Sequence, residues 1–300
     1  MRVASCFAAF LLLAGWAPVL PAQSFTGIVQ QRHFAVPREI LFTLAGGITE
    51  APTPEEEAFG FPPARVLQQP VEQLLAAIKK NGAALPADHF TYYFAENGMR
   101  VDADLNAGHS LFGKKIIYLV RPQQKQNWLL LPAQQAYLEL SAEEGRSVLL
   151  SARDVLQSLA QRGAASTAAD ELPEFKKTGE QSTINGLPCL RYLSKGPGQA
   201  AELWVTAAHP GLRRAFDTLL GEMQLGDLTG WQSDAWRRLA HAGVPMLAKH
   251  LSPHGGMHVL EITSIQPRAV SAAQFELPAD YQKLDLQQLL QEILLKKFVR

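Results

Sequence analysis

Hydrophobic and polar residues alternate in short runs along much of this chain, and turn residues separate the runs. An alternation with a period of two places successive side chains on opposite faces of a β-strand. The runs HFTYYFA and MRVDADL flank Asn97-Gly98, which is the strongest short-range signal for a hairpin. The pattern as a whole predicts strands over residues 25–35, 89–95, 99–105, 115–121, 127–131, 136–140, 175–183, 189–194, 201–206 and 257–265.

Apolar residues spaced three and four apart predict helices between the groups of strands. Ser141 and Glu144 form a capping box at the start of one helix, and Gly163 ends it. Pro210 begins another helix, because proline is favoured at the first helical position. Further helices are predicted over residues 64–80, 233–242 and 285–298.

Two insertions interrupt the strands, at about residues 39–88 and 142–172. Within the first, residues 51–63 are rich in Pro and Glu and predict an exposed loop, and Pro70 either kinks the helix that follows or begins it. Strands and helices do not alternate as they do in β-α-β units, so the pattern indicates the α+β class. We predict a single domain over residues 23–300, with an antiparallel sheet and helices packed on one of its faces.

The first residues have the layout of a secretory signal peptide. A basic start at Arg2 precedes the apolar stretch FAAFLLLA, and the run VLPA then ends in a small residue at Ala22. The apolar stretch is shorter than the roughly 20 residues that a membrane span needs, and no later apolar segment reaches 20 residues. We therefore expect residues 1–22 to be removed on export to the periplasm, the cell envelope or the exterior, with a retained N-terminal anchor as the alternative.

Composition narrows the class of protein further. The 28 Lys and Arg residues balance the 28 Asp and Glu residues, and the formal net charge is zero. Nucleic-acid binding depends on clustered basic residues that neutralise phosphates, so this balance argues against it. Hydrophobic residues make up 47% of the chain and charged residues 19%, which argues against disorder.

The order of several short segments resembles a known family. These segments are FTGIV, YYFAENGMRVD, IIYLVRPQQKQNWLLL, TINGLPCLRY, ELWVT and FELPADY. Together they resemble the domain-of-unknown-function family 4412 over most of the chain apart from the two insertions. That family looks like a branch of the lipoprotein-carrier (LolA/LolB-like) fold. The likeness implies an incomplete antiparallel barrel with helices on its concave face and a cavity for lipids or acyl chains, without a settled activity.

Three histidines are the candidates for a metal site. His250, His254 and His258 recur every four residues, a spacing that would align them on one helix. Pro253 and the glycines that follow interrupt such a helix, so the alternative is an exposed polar turn before the last strand. We identify no catalytic motif and predict neither a catalytic residue nor a cofactor.

Two aspartates and one cysteine are further functional candidates. Asp102 and Asp104 point the same way from one strand, as a pair of acid/base carboxylates would, and we expect them to form the solvated side of that strand. Cys189 is the one thiol left after residues 1–22 are removed. We expect it to be a buried small hydrophobic residue rather than a nucleophile.

The apolar faces of the strands and helices then carry the functional hypothesis. We predict that the protein binds a lipid, an acyl chain, another hydrophobic ligand or a lipidated protein between sheet and helices, without catalysis. A cavity of a few hundred cubic ångströms between the strands and residues 212–223 would favour this hypothesis. The predicted ligand contacts are Phe94, Tyr118, Trp128, Tyr192, Trp204, Phe216 and Leu220.

Two other functions are compatible with these patterns. The protein could be an exported structural or interaction protein with a solid core, which docks a partner through surface helices such as residues 285–298. It could also be an envelope hydrolase whose Ser or Asp and His come from distant parts of the chain.

Overall fold

Twelve strands of the described residues form one sheet. The computed structural model describes residues 25–46, 53–82, 87–105, 113–140, 174–196, 199–223, 242–252 and 256–285. In chain order the strands are β1 (Gly27–Val36), β2 (Ala87–Ala95), β3 (Gly98–Asp104), β4 (Lys115–Arg121), β5 (Gln126–Leu131), β6 (Ala136–Leu140), β7 (Lys176–Ile184), β8 (Leu187–Gly196), β9 (Gln199–Thr206), β10 (Val244–Ser252), β11 (Gly256–Pro267) and β12 (Gln282–Lys283).

The sheet is open and almost entirely antiparallel. Its strand order is β12-β6-β5-β4-β3-β2-β1-β11-β10-β9-β8-β7, and the described residues show no pairing between β12 and β7 at its two edges. Neighbouring strands are antiparallel except that the short β12 runs parallel to β6. The predicted α+β class with a large, mostly antiparallel sheet that does not close is therefore confirmed at this level of detail.

The central strand β1 joins two meanders. It pairs with β2 on one side, which continues through β3, β4, β5 and β6, and with β11 on the other, which continues through β10, β9, β8 and β7. Short turns connect β2 to β3, β4 to β5, β5 to β6 and β7 to β8, whereas the connection from β9 to β10 contains a helix. The strands at 115–121 and 136–140 have the predicted bounds.

Five described helices pack against this sheet. They are α1 (Arg38–Ala45), α2 (Pro54–Phe59), α3 (Pro63–Leu67), α4 (Val71–Lys80) and α5 (Pro210–Met223). The first four belong to the insertion at 39–88 and share one hydrophobic core with the sheet. That core includes Phe34 and Val36 of β1, Leu251 of β10 and Leu74 of α4.

The prediction of an exposed loop over residues 51–63 is wrong at residues 54–59, which form α2. Thr53 Oγ1 accepts a hydrogen bond from the Glu56 amide at 3.2 Å, and Glu56 Oε2 accepts one from the Thr53 amide at 2.9 Å. This is a capping box, and Pro54 occupies the first turn, where proline is tolerated. Phe59 and Phe61 then bury themselves in the core, so the Pro- and Glu-rich composition marks a helix start.

Pro70 begins a helix rather than kinking one. The predicted helix over residues 64–80 is divided into α3 and α4, with Pro70 as the N-terminal cap of α4. Val71, Leu74 and Ile78 of α4 are buried. Lys79 and Lys80 lie in the last turn of α4, where their positive charges interact favourably with the negative end of the helix dipole.

The strand β10 was not predicted. It carries Lys249 and His250 between apolar residues, and its register with β9 shifts between Pro245 and Leu247. A β-bulge of this kind breaks the period-two pattern on which the prediction depends. His250 therefore lies in a strand, and the predicted turn at this position is wrong.

Several predicted segments lie outside the described residues. They include the signal peptide at 1–22 and the insertion at 142–172, together with the helix that begins at Ser141. The predicted helices at 233–242 and 285–298 are described only at Ala242 and Asp285. Within the described residues, no helix has both the length and the apolar character required to cross a membrane.

Candidate functional site

A cavity of about 430 Å³ lies between one face of strands β7 to β11 and the connection from α3 to α4. On the sheet, Arg191 pairs directly with Trp204, and Glu202 pairs directly with Lys249. Directly paired residues of antiparallel strands project their side chains from the same face. The register of the sheet therefore gathers side chains from three strands on the wall of this cavity.

The floor of the cavity is a network of three buried charged side chains. Glu202, Lys249 and Arg191 are only 2%, 3% and 5% exposed. Glu202 Oε1 accepts a hydrogen bond from Arg191 Nε at 2.7 Å, and Glu202 Oε2 lies 2.8 Å from Lys249 Nζ. The buried Glu202 carboxylate thus lies between the buried cations Arg191 and Lys249. Removing the carboxylate or a cation would leave an uncompensated buried charge.

Lys249 also ties the helical layer to the sheet. Its Nζ donates hydrogen bonds to the Leu67 carbonyl at 2.5 Å and to the Gln69 carbonyl at 2.9 Å, at the end of α3. Burial lowers the pKa of Lys249, and the charge and hydrogen bond of Glu202 oppose that change. The ammonium group therefore holds the α3–α4 connection in a fixed position over the floor.

Apolar side chains line the cavity beside the ion network. Ile184, Trp204, Leu247 and Val71 contribute to its wall. The Arg191 guanidinium carbon lies 5.8 Å from the centre of the Trp204 ring, within the distance of a cation–π contact. The cavity therefore has a small apolar wall, called here the apolar bank, beside a polar floor, and most of its other lining residues are polar.

The β7–β8 hairpin forms one rim of the cavity. Its turn contains Asn185 and Gly186, both with left-handed backbone angles (φ 50° and 77°), as the predicted Asn-Gly turn requires. The Asn185 side-chain amide donates a hydrogen bond to the Ile262 carbonyl of β11. The tip of this edge hairpin therefore reaches back across the sheet and encloses one side of the cavity.

The predicted ligand contacts are distributed over three clusters. Phe94, Tyr118 and Phe216 share the core beneath α5, where the Phe94 and Phe216 ring centres are 5.2 Å apart. Trp128 belongs to a separate hydrophobic cluster that includes Leu277 and Tyr281. Tyr192 packs against a third, small cluster around Leu203 and Val205. The edge-on contact of Phe94 and Phe216 is typical of core packing. The fold therefore brings Phe94, Tyr118 and Phe216 together, but not Trp128 or Tyr192.

Among the predicted contacts with described side chains, Trp204 alone lines the cavity. Leu220 lies in α5, and its side chain is outside the described part. The cavity itself lies against the α3–α4 connection rather than against residues 212–223, where it was expected.

The three charged residues of the floor were not predicted from the sequence. Each is a charge in the middle of an apolar run: CLRYL for Arg191, AELWV for Glu202 and MLAKHL for Lys249. A charged residue in a strand position that faces the core is expensive unless it is paired. A charge within each apolar run was visible in the sequence, but only the folded sheet makes the three positions neighbours.

Two of the predicted metal candidates meet across a strand pair. His250 of β10 pairs directly with His258 of β11, and the His258 ring stacks on His33 with centres 5.6 Å apart. His33 Nδ1 lies 3.4 Å from Asp88 Oδ2. His254 is outside the described residues, and the described residues contain no group of three metal-ligating side chains suited to an ion.

His258 makes the stability of the fold sensitive to acid. Burial, with a smaller contribution from nearby His33, lowers the pKa of His258 from its ordinary value of 6.5. Between the lowered pKa and 6.5 the unfolded chain binds more protons than the folded chain, so the free energy of unfolding falls as the pH decreases through that window. We expect His258→Gln to reduce this slope, by at most about 1.4 kcal/mol per pH unit for one proton.

Urea unfolding at a series of pH values measures that slope. His89→Gln is the matched control, because the His89 side chain is exposed on β2 of the same sheet. An unchanged slope in His258→Gln would contradict the prediction.

Cys189 and Asp102 are buried and make local hydrogen bonds, while Asp104 is exposed. Cys189 is buried, its Sγ donates to the Leu187 carbonyl at 3.5 Å, and burial raises the pKa of the thiol, as expected for a small core residue. Asp104 is exposed, but Asp102 is buried and accepts two hydrogen bonds from Arg100. The prediction of a solvated side is therefore wrong at Asp102, because Arg100 neutralises it there.

Two solved structures that are similar to this chain are distant from it in sequence and much longer. Two structures of PNGF-II, in the C2 and P21 space groups, are each 10% identical to this chain and give TM-scores of 0.34 and 0.32. Each match covers 90% of this chain, which spans about a third of those chains (33% and 34%). A comparison with curated proteins gives no match.

A family model accounts for most of the sheet and for the cavity floor. The model of a domain of unknown function (DUF4412) matches residues 79–281, from the end of α4 to the residue before β12. This range contains Arg191, Glu202 and Lys249, while α1 to α3 precede it. The match extends over more than half of the chain, and the chain therefore belongs to the DUF4412 family.

Proposed function

We propose that the protein is an exported, non-catalytic binding protein that holds one hydrophobic or amphiphilic molecule in the cavity between the sheet and the α3–α4 connection. The observation that carries the proposal is the cavity of about 430 Å³, whose apolar bank adjoins a buried ionic floor. This volume lies within the range of roughly 300–1,000 Å³ that small-molecule pockets have, and the charged floor supplies oriented polar groups. The size suits one short apolar chain rather than several.

The apolar and charged parts of the cavity wall would bind different parts of a ligand. Trp204, Leu247 and Ile184 would cover an apolar chain, and each Å² of apolar surface removed from water contributes about 25 cal/mol. The ion network would orient a polar end, because the planar guanidinium of Arg191 presents several N–H donors in a fixed arrangement. A free amphiphile and one acyl chain of a lipidated protein both match this division.

Export and the barrel-like shape belong to the same proposal. The pattern of residues 1–22 supports export to the periplasm, the cell envelope or the exterior. The open strand order, with α1 to α4 packed on one face, supports a likeness to the lipoprotein-carrier fold, in which helices cover the concave face of an incomplete barrel.

Binding of a simple amphiphile tests the proposal. We expect decanoate to bind the purified protein in a 1:1 complex, measured by isothermal titration calorimetry. Ile184→Trp should weaken this binding by about tenfold or more, because the larger ring occupies the cavity. Gln181→Trp is the matched control, since Gln181 is exposed on the same strand and does not line the cavity.

Folding of both variants is checked by circular dichroism and urea unfolding. Equal binding by the two tryptophan variants would place the ligand elsewhere and contradict the proposal. So would the absence of both decanoate binding and co-extracted lipid, the latter measured by mass spectrometry on protein purified from the cell envelope.

A further inference from the structure

The buried floor of the cavity carries more positive than negative charge. Arg191 and Lys249 are both cationic, and Glu202 is the one carboxylate enclosed between them. The nearby Glu261 is paired with its own cation, since its Oε2 lies 2.5 Å from Arg32 Nη2. A buried region with one uncompensated positive charge is unstable unless another anion reaches it.

Glu180 supplies that anion from the edge of the sheet. Its Oε1 and Oε2 accept hydrogen bonds from Arg191 Nη1 at 2.8 and 2.7 Å. The Glu180 side chain is nevertheless 56% exposed, whereas Arg191 is almost fully enclosed. The fourth charge of the network is thus the one that solvent and ligands can reach.

The geometry of this contact is weaker than the usual arginine–carboxylate pair. Both carboxylate oxygens converge on Nη1, and Nη2 makes no hydrogen bond to the described residues. The strong arrangement uses two parallel bonds from two nitrogens. Solvent also screens the exposed Glu180 carboxylate, so this contact is weaker than the enclosed pair of Arg191 with Glu202.

Glu180 also sits where the strand is irregular. Strand β7 is at the edge of the sheet, and its register with β8 shifts between Lys177 and Gln181. The Glu180 amide donates to Thr178 Oγ1 at 3.2 Å, a local contact outside the strand ladder. The Glu180 side chain can therefore leave Arg191 without breaking the pairing of β7 and β8.

We propose that the ligand of this cavity carries a carboxylate, which replaces Glu180 on Arg191 while its apolar chain lies along Trp204, Leu247 and Ile184. This inference rests on the proposed function and specifies the ligand class. Glu180 acts as an internal substitute that neutralises the floor when no ligand is bound. Its own charge repels an incoming carboxylate, so ligand and Glu180 compete for one guanidinium.

The test compares a charged and a neutral probe of the same chain length on two variants. We expect Glu180→Gln to bind decanoate about three- to tenfold more tightly than the wild type. Affinity for decanol, which cannot replace a carboxylate, should stay within about twofold. Glu72→Gln is the matched control, because Glu72 is an exposed acid on the rim of the same cavity whose side chain is not bonded to Arg191.

Each outcome of the titrations has a distinct meaning. An equal gain in Glu180→Gln and Glu72→Gln, an equal gain for both probes, or unchanged or weaker decanoate binding in Glu180→Gln overturns the carboxylate inference while binding itself stands. If neither probe binds any of the proteins, the proposed function fails together with it. Glu180→Ala provides a second variant should the amide form a new hydrogen bond to Arg191.

Discussion

Replacing Glu202 by glutamine should lower the free energy of unfolding by about 3–5 kcal/mol. The substitution conserves the shape of the side chain and removes its charge. Arg191 and Lys249 would then be buried close together without the carboxylate that separates them. Breaking a buried ion pair from one side is strongly destabilising, because the desolvated partner charge remains. Urea unfolding followed by circular dichroism measures the loss.

Glu139→Gln is the matched control for this experiment. Glu139 makes the same kind of contact, with Lys283 Nζ 2.5 Å from its Oε2, but both side chains are largely exposed. An exposed pair contributes about 1 kcal/mol or less, and the control should change stability by no more than that. Similar small losses in both variants would show that the ion network does not hold the α3–α4 connection on the sheet.

Replacing Phe59 by alanine should also cost about 3–5 kcal/mol. Phe59 is 1% exposed and packs in the core that joins α1 to α4 to the sheet, with its ring centre 6.2 Å from that of Phe61. Truncation removes the buried ring and leaves a cavity that the surrounding side chains cannot fully close. Urea unfolding again measures the change.

Phe42→Ala is the comparison within the same helical layer. Phe42 is 43% exposed, so its truncation removes less buried surface and should cost clearly less than that of Phe59. Equal losses, or a loss below about 1 kcal/mol at Phe59, would mean that residues 53–61 behave as the exposed loop that composition suggests.

Much of the sheet was predictable because its strands obey local rules. The strand at 115–121 is bounded by Pro122, and the hairpin turn at Asn185-Gly186 uses the residues that tolerate left-handed angles. β10 was not predictable in the same way, since its bulge and its internal Lys249 remove the alternation. The capping box at Thr53 was present in the sequence, and the Pro-rich composition around it concealed it.

The candidate site was predictable only at Trp204. Aromatic residues such as Phe94 and Phe216 are large and apolar whether they line a cavity or fill a core, so their identity does not distinguish the two. The floor residues were overlooked for the opposite reason. A single charge in an apolar strand has the same local sequence whether it faces solvent or is paired in the interior.

The sequence by itself determined the class of fold, the positions of most strands and the membership of a family, because these depend on periodicity and turn chemistry within short segments. Only the tertiary structure decided that Arg191, Glu202 and Lys249 meet beneath the α3–α4 connection. Strand register and the packing of a distant insertion set which charges are buried together. The apolar content and the neutral charge balance of the chain are compatible with many such arrangements.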